Sequence, residues 1–153
     1  MSKELNRDID FNSENTVAIV MPVRAVPKAR TSHGRYGQRY TPKRTRDFEK
    51  LVSIYAEQAM KGREQLKGAL GLSITFTFKV FKSWNKKDKE LALQQKILPV
   101  SNVIGDISNL IKSVEDGMNG IVYPDDRQIV SYKDIDMIYG EEDLIVIKIF
   151  KLT

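Results

Sequence analysis

Alternation of apolar and polar residues along the chain predicts a set of short strands. Strict alternation over 72–81 predicts a strand with one buried face, and a short apolar run over 17–23 predicts another. The residues over 127–139 and 144–152 predict two further strands, joined by a short turn as an antiparallel hairpin. The last strand is apolar on both faces except at Lys148, so we expect it in the centre of the sheet or at a subunit contact.

Apolar residues at helical spacing predict three helices. The first covers about 42–61 and begins after Thr41, a typical N-cap. A short charged helix follows Ser83, which we expect to cap it. Asp106 opens the third, central helix and Gly120 closes it. The core face of this central helix is formed by Ile107, Leu110, Ile111, Val114 and Met118. The order of elements favours an α+β fold with a single mixed or antiparallel sheet covered by helices.

Length and composition narrow the class of protein. A chain of 153 residues favours a single domain, which we expect to cover 15–153 after a flexible polar tail at 1–14. The chain has no Cys and a single His, which excludes disulfides and imidazole cages and leaves oxygen ligands for Mg²⁺, Mn²⁺ or Ca²⁺. It contains no apolar stretch of membrane-spanning length and no apolar core of a signal peptide. We therefore expect a cytoplasmic protein without membrane contact.

Positive charge is concentrated in one segment, while the rest of the chain is mildly acidic. Over 24–46 there are eight bases and no acid: Arg24, Lys28, Arg30, Arg35, Arg39, Lys43, Arg44 and Arg46. Tyr36 and Tyr40 lie among them, and this mixture suits a nucleic-acid backbone with rings available to stack on bases. The last three bases fall in the first turn of the first helix, where the helix dipole disfavours cations unless an anion binds there. The segment predicts a phosphate-binding loop or loose hairpin, with a merely solvated loop as the alternative.

A second group of candidate functional residues lies on the central helix and in the turn after it. In chain order it consists of Asp106, Ser108, Lys112, Asp116, Asp125 and Asp126, the last two of which begin the following strand. Ser108, Lys112 and Asp116 share one stripe of the helix because they are four residues apart. If that strand packs beside the helix, Asp106 and Asp126 can converge on one cation, as metal-assisted phosphodiester hydrolysis requires. Lys112 can then neutralise the charge of the transition state. The same spacing also suits an N-cap, a turn and a surface ion pair, so a nuclease and a passive nucleic-acid binder both remain open.

The stretch over 105–130, GDISNLIKSVEDGMNGIVYPDDRQIV, resembles the signature of the RusA-type Holliday-junction resolvases. That signature runs roughly P-D-x-D-N-L-x-K-x-x-x-D-x-L-N-G, followed by D-D-x-Q-I. Two further stretches, K-A-R…R-Y-T-P-K-R-T-R-D-F-E and S-W-N-K-K-D-K-E-L-A-L, are similar to other parts of the family in the same order, so the resemblance covers 17–150. It implies a RusA-like fold and a homodimeric endodeoxyribonuclease that depends on Mg²⁺, with Mn²⁺ as a substitute. Such an enzyme resolves four-way DNA junctions by paired nicks in recombination and repair.

The resemblance also implies roles by position. Asp106 and Asp126 correspond to the metal-binding, catalytic aspartates, and Lys112 corresponds to the catalytic lysine. Asp116 and Asp125 match further acidic positions of the motif and are additional candidate metal ligands. The DNA-binding residues that we expect from the basic segment are Lys28, Arg30, Arg35, Arg39, Lys43, Arg44 and Arg46.

Two positions of the motif depart from the family. The second aspartate is replaced by Ser108, and Gly105 stands where the family has proline. A serine hydroxyl is a neutral and weaker ligand, so Mg²⁺ binding should weaken. Three explanations are open: Asp116 or Asp125 compensates, the chain binds junctions but cuts them slowly or not at all, or Ser108 is an introduced substitution. The alternative to an active resolvase is therefore a junction-binding protein with weak or no catalysis.

Overall fold

A four-stranded mixed sheet forms the centre of the fold. The computed structural model describes residues 14–29, 32–33, 39–40 and 42–152. The elements in chain order are β1 (Thr16–Met21), β2 (Ser32–His33), β3 (Arg39–Tyr40), α1 (Lys43–Ala59), β4 (Leu70–Lys79), α2 (Lys86–Leu93), α3 (Ile107–Met118), β5 (Ile129–Gly140) and β6 (Leu144–Lys151). The strands of the main sheet lie in the order β1-β6-β4-β5, while β2 and β3 form a separate antiparallel pair. This is the α+β arrangement that the sequence predicts.

The pairing of the last two strands differs from the prediction. β6 lies in the interior of the sheet, as expected, but β4 separates it from β5, so the predicted hairpin is wrong. β4 pairs in parallel with β5 and antiparallel with β6. The turn after Gly140 passes the end of β4, where Val80 N–H donates to Gly140 O and Lys79 N–H donates to the Asp143 carboxylate. β4 takes the central place because its residues are buried almost without interruption, as a strand between two others requires.

Two helices, α1 and α3, pack on each other and complete the core. The buried apolar residues of α1 are Phe48, Val52 and Ala56. Those of α3 are Leu110, Ile111, Val114 and Met118, as predicted. Ile107, which was also predicted for this face, is 37% exposed because the buried stripe begins one turn into the helix. α3 also buries three residues that the apolar pattern did not indicate, Ser113, Glu115 and Gly117.

The ends of the helices lie near their predicted positions. The predicted cap Thr41 and residues 1–13 of the predicted tail at 1–14 lie outside the described residues. α2 is capped by Asn85 rather than Ser83, since the Asn85 side chain accepts a hydrogen bond from a backbone N–H at 2.8 Å. Gly120 follows α3 with a φ of +79°, the left-handed conformation expected of a glycine that ends a helix. Within the described part of the chain, no helix combines the length and the apolar composition that crossing a membrane needs.

Candidate functional site

The segment that follows β1 lies along α3 and brings Lys28 to it. The Ser113 hydroxyl donates to Val26 O at 2.7 Å, and Lys28 N–H donates to Asn109 O at 2.8 Å. These two bonds fix the backbone of the segment on the helix. The side chain of Lys28 consequently reaches carboxylates on both α1 and α3.

Five charged side chains form a continuous cluster across α1, α3 and the turn before β5. Lys28 Nζ lies 2.6 Å from Glu49 Oε1 and 3.1 Å from Asp116 Oδ2. Lys112 Nζ lies 3.0 Å from Asp116 Oδ1 and 3.3 Å from Asp126 Oδ2. Asp116 is the centre of the cluster because each of its oxygens holds one lysine. We call these five residues the charge network.

Both lysines of the charge network are held as cations. The hydrogen bond to Asp116 raises the pKa of Lys112 most strongly, and it outweighs the effect of burial. Burial lowers the pKa of Lys28, but its bonds to Glu49 and Asp116 together raise it above the usual value. The Lys112 side chain is 51% exposed, compared with 22% for Lys28. Lys112 is therefore the positive charge that a bound anion can reach.

The turn before β5 gives two neighbouring aspartates different surroundings. The Asp125 carboxylate accepts a hydrogen bond from Arg127 N–H at 2.8 Å, and the Gln128 side chain accepts one from Asp125 N–H at 3.1 Å. The bonds from Arg127 lower the pKa of Asp125. This 3₁₀ turn, Asp126–Gln128, replaces the first residues of the predicted strand. Asp125 is thus engaged in the turn, whereas Asp126 belongs to the charge network.

Asp106 occupies the N-cap position of α3 without capping it. Its carboxylate accepts no hydrogen bond from the helix, and no ion pair in the described part of the chain involves it. The helical rise places it about 9 Å along the axis from Lys112. Ser108 is also exposed. The structure therefore brings Lys112, Asp116 and Asp126 together and leaves Asp106 and Ser108 facing solvent at the start of the same helix.

The backbone before α3 has a conformation at Gly105 that the proline of the motif could not adopt. Its φ is +92°, whereas proline is fixed near about −65°. A Cβ atom at this position would lie 2.8 Å from Pro27 Cγ, in the segment that lies along α3. Where the family motif has proline, this chain therefore has a backbone conformation that only glycine adopts without strain.

A buried carboxylate beside the charge network was not indicated by the motif. Glu115 is 8% exposed, and its two oxygens accept hydrogen bonds from the Tyr132 hydroxyl at 3.1 and 3.2 Å. Burial raises the pKa of Glu115, and the bond from Tyr132 and the charge of Lys112 offset only part of that effect. Burial and the Glu115 carboxylate raise the pKa of Tyr132 to about 12. The sequence signal that could have found Glu115 is its position three residues after Lys112, which places the two on neighbouring parts of the helix surface.

The described residues form no closed cage for a metal ion. Within the described ranges, no three Asp, Glu, His or Cys side chains lie close enough together to hold an ion. Mg²⁺ commonly binds through one or two carboxylates, several waters and a substrate phosphate. Asp106 and Asp126 carry the carboxylates that would hold such an ion, and Asp126 also accepts a bond from Lys112. The donor set fits a Mg²⁺ ion that is bound jointly by the protein and a phosphate.

Among the bases of the basic segment whose side chains the structure describes, the exposed ones lie at the start of α1. Arg44 and Arg46 are exposed, and Lys43 forms an exposed ion pair with the acid four residues later. Lys28 differs from them because it is engaged in the charge network. The side chains that lie outside the description are those of Arg30, Arg35, Tyr36, Arg39 and Tyr40.

Comparison with known proteins gives a family match that covers most of the chain. The sequence model of the family described as Endodeoxyribonuclease RusA matches residues 22–150. A curated relative, described as Uncharacterized protein YqaN of Bacillus subtilis (strain 168), is 26% identical over 129 residues, which cover 83% of this chain and 87% of the relative. The region matched by the family includes the whole charge network as well as Asp106 and Ser108.

Proposed function

The chain belongs to the RusA endodeoxyribonuclease family, and from this membership we propose that it is a metal-dependent endonuclease for Holliday junctions and other branched DNA. Each subunit of a homodimer would cut one strand, so that paired nicks resolve the junction. The observation that carries the proposal is the position of Lys112, whose ammonium lies 3.3 Å from the Asp126 carboxylate. Motif residues from α3 and from the following turn are thus in contact, as a site built from both elements requires.

Each motif residue has a part in the proposed reaction. Asp106 and Asp126 would hold Mg²⁺, or Mn²⁺ in its place, and when bound such an ion would supply Lewis-acid chemistry to the phosphate and to the attacking water. Lys112 donates hydrogen bonds to the phosphate as negative charge develops there, since its raised pKa keeps it an ammonium at neutral pH. For the same reason Lys112 is not the base that takes the proton of the water. Asp116 keeps Lys112 in place.

We propose that this chain binds its metal ion weakly, because Ser108 stands where the family has an aspartate. Asp125 is a poor substitute ligand because its carboxylate is engaged with Arg127 in the turn. Asp116 has both oxygens paired with lysines. With a neutral hydroxyl where the family has a carboxylate, less negative charge holds the cation. The enzyme should therefore need more Mg²⁺ than a family member that retains the second aspartate.

In the proposal, the start of α1 binds the DNA backbone. Arg44 and Arg46 are exposed there, at the end of the helix whose dipole favours an anion. A phosphate at this end would balance the two bases, which otherwise stand at an unfavourable end of the dipole. Recombination and repair of DNA in the cytoplasm are the setting that such a substrate implies.

A second candidate function is junction binding without cleavage. Two observations favour it: Ser108 supplies no charge, and Asp116 is already neutralised by Lys28 and Lys112. Both reduce the number of carboxylates that remain for a cation. The basic surface at the start of α1 would serve this function equally well.

Nicking of an end-labelled four-way junction distinguishes the two candidates. The endonuclease proposal expects nicked product in Mg²⁺ or Mn²⁺ and none in chelator. The variant Asp106→Asn should still bind the junction but give no product. Binding that persists in chelator, without nicked product at any metal concentration, would support the second candidate. Nicking by Asp106→Asn at the wild-type rate would remove Asp106 from the site.

A further inference from the structure

Lys28 and Glu49 lie beside the proposed centre, although neither belongs to the catalytic set of the motif. Lys28 bridges Glu49 on α1 and Asp116 on α3, at 2.6 and 3.1 Å. The side chains of all three are only 21–22% exposed. The backbone of Lys28 is also fixed, by the hydrogen bond from its N–H to Asn109 O. An ammonium that is held in this way is not free to follow a DNA phosphate.

We propose that Lys28 and Glu49 are positioning residues for Lys112, a role that rests on the proposed function of the site. Lys28 occupies Asp116 Oδ2, so that Oδ1 alone remains for Lys112. Lys112 is therefore shared between Asp116 and Asp126 instead of being held by both oxygens of Asp116. Glu49 keeps Lys28 in this place by its own ion pair.

The charges of the network support this assignment. Three carboxylates face two ammonium groups, which leaves the cluster with one excess negative charge, the sign that suits a nearby divalent cation. If Lys28 were removed, Asp116 Oδ2 would lose its lysine, and both oxygens of Asp116 would then attract Lys112. Lys112 would then be drawn away from Asp126 and from a phosphate bound there.

A positioning role and a phosphate contact predict different results for Lys28→Met. A lysine that contacts phosphate releases counterions when DNA binds, so its removal lowers the salt slope of binding by about 0.9. A lysine that is already paired with two carboxylates contributes little to this slope. Lys28→Met should therefore leave the salt slope of junction binding unchanged. It should lower kcat at saturating junction by about 10- to 100-fold, the usual cost of losing a residue that orients a catalytic group.

Glu49→Gln is the sharper variant because it makes the protein more positive. If net charge alone decided the outcome, this variant would bind the junction more tightly and cut it at least as fast. The positioning role predicts instead a kcat lower by about tenfold, with KM unchanged or lower. Glu57→Gln is the matched control, since it is the same change at an exposed position of α1 outside the charge network. We expect it to leave kcat unchanged, and we expect Lys28→Arg, which keeps the charge, to retain most of the activity.

The side-chain signal of Lys112 in a ¹H–¹³C NMR spectrum gives a readout that needs no nuclease activity. Glu49→Gln and Lys28→Met should shift the Lys112 Cε signal, and Glu57→Gln should leave it in place. If the wild-type chain does not nick junctions, the proposed function fails and the Lys112 signal alone decides the positioning role. An unmoved signal in Glu49→Gln, or a reduced salt slope in Lys28→Met, would overturn the inference. Melting temperatures establish that each variant is folded under the assay conditions.

Discussion

Gly117→Ala should loosen the contact between α1 and α3 on which the charge network depends. A Cβ atom at Gly117 would lie 2.6 Å from Val52 Cβ and 2.9 Å from the backbone oxygen of Glu49. The Ser53 hydroxyl crosses the same contact and donates to Gly117 O at 2.7 Å. Because one of the atoms in the way is a backbone oxygen, the methyl group can be accommodated only if the helices move apart.

The expected loss of stability follows from three opposing contributions. Overpacking of this kind costs about 1–3 kcal/mol. Lengthening the bond from Ser53 to Gly117 costs about 0.5–1.5 kcal/mol, and replacing glycine by alanine inside a helix returns about 1 kcal/mol. The net change is a destabilisation of about 2 kcal/mol, which for a chain of this length lowers the melting temperature by roughly 4–8 °C.

Thermal unfolding followed by circular dichroism measures this change directly. Gln58→Ala is a suitable control because Gln58 is exposed on α1, and its melting temperature should stay within about 2 °C of wild type. Gly117 is adjacent to Asp116 and its clash involves Glu49, so Gly117→Ala should also lower kcat at temperatures where it is fully folded. A melting temperature equal to or above that of wild type would refute the close packing of α1 against α3.

Three further predictions concern DNA binding, metal binding and pH. Neutralising Arg44 and Arg46 should weaken binding to any DNA and reduce the salt slope by roughly one for each phosphate that the variant no longer neutralises, whereas an unaltered slope would place both outside the interface. Ser108→Asp should lower the Mg²⁺ concentration for half-maximal nicking, because it adds a carboxylate beside the cation; an unchanged Mg²⁺ titration would count against a ligand role at this position. Glu115→Gln should raise the melting temperature near neutral pH and lose this advantage at acidic pH. Burial raises the pKa of Glu115, so the native state of the wild type bears the cost of a buried charge only at the higher pH. A difference in melting temperature that did not vary with pH would contradict this reasoning.

The helices and strands could be predicted because their apolar spacing is a local property of the sequence. The buried face of α3 follows from apolar residues that are three and four positions apart. Only the prediction that Ile107 is buried was wrong, because Ile107 is the first residue of the helix. The separation of β5 from β6 in the sheet could not be predicted in the same way. A short turn between two apolar runs indicates a hairpin, but nothing local indicates that β4 inserts between the two strands.

In the candidate site, too, contacts within one helix could be predicted from the sequence, whereas contacts that form only in the folded chain could not. The ion pair of Lys112 with Asp116 follows from helical spacing, and the motif indicated Asp126 as a partner in the same site. Lys28 looked like one more base of the basic segment, because its bridge to Glu49 forms only when that segment folds onto α3. Spacing also could not distinguish Asp126 from Asp125, whose engagement depends on the geometry of the 3₁₀ turn.

The central claim is that Asp106 and Asp126 together hold one divalent cation beside Lys112. A crystal soaked in a manganese salt tests it most directly, because manganese is located by its anomalous scattering independently of the protein atoms. We predict an anomalous peak within about 2–2.5 Å of an oxygen of each aspartate, as expected for carboxylate ligands of a hard cation. Two carboxylates that point apart, with no anomalous peak between them at saturating manganese, would contradict it.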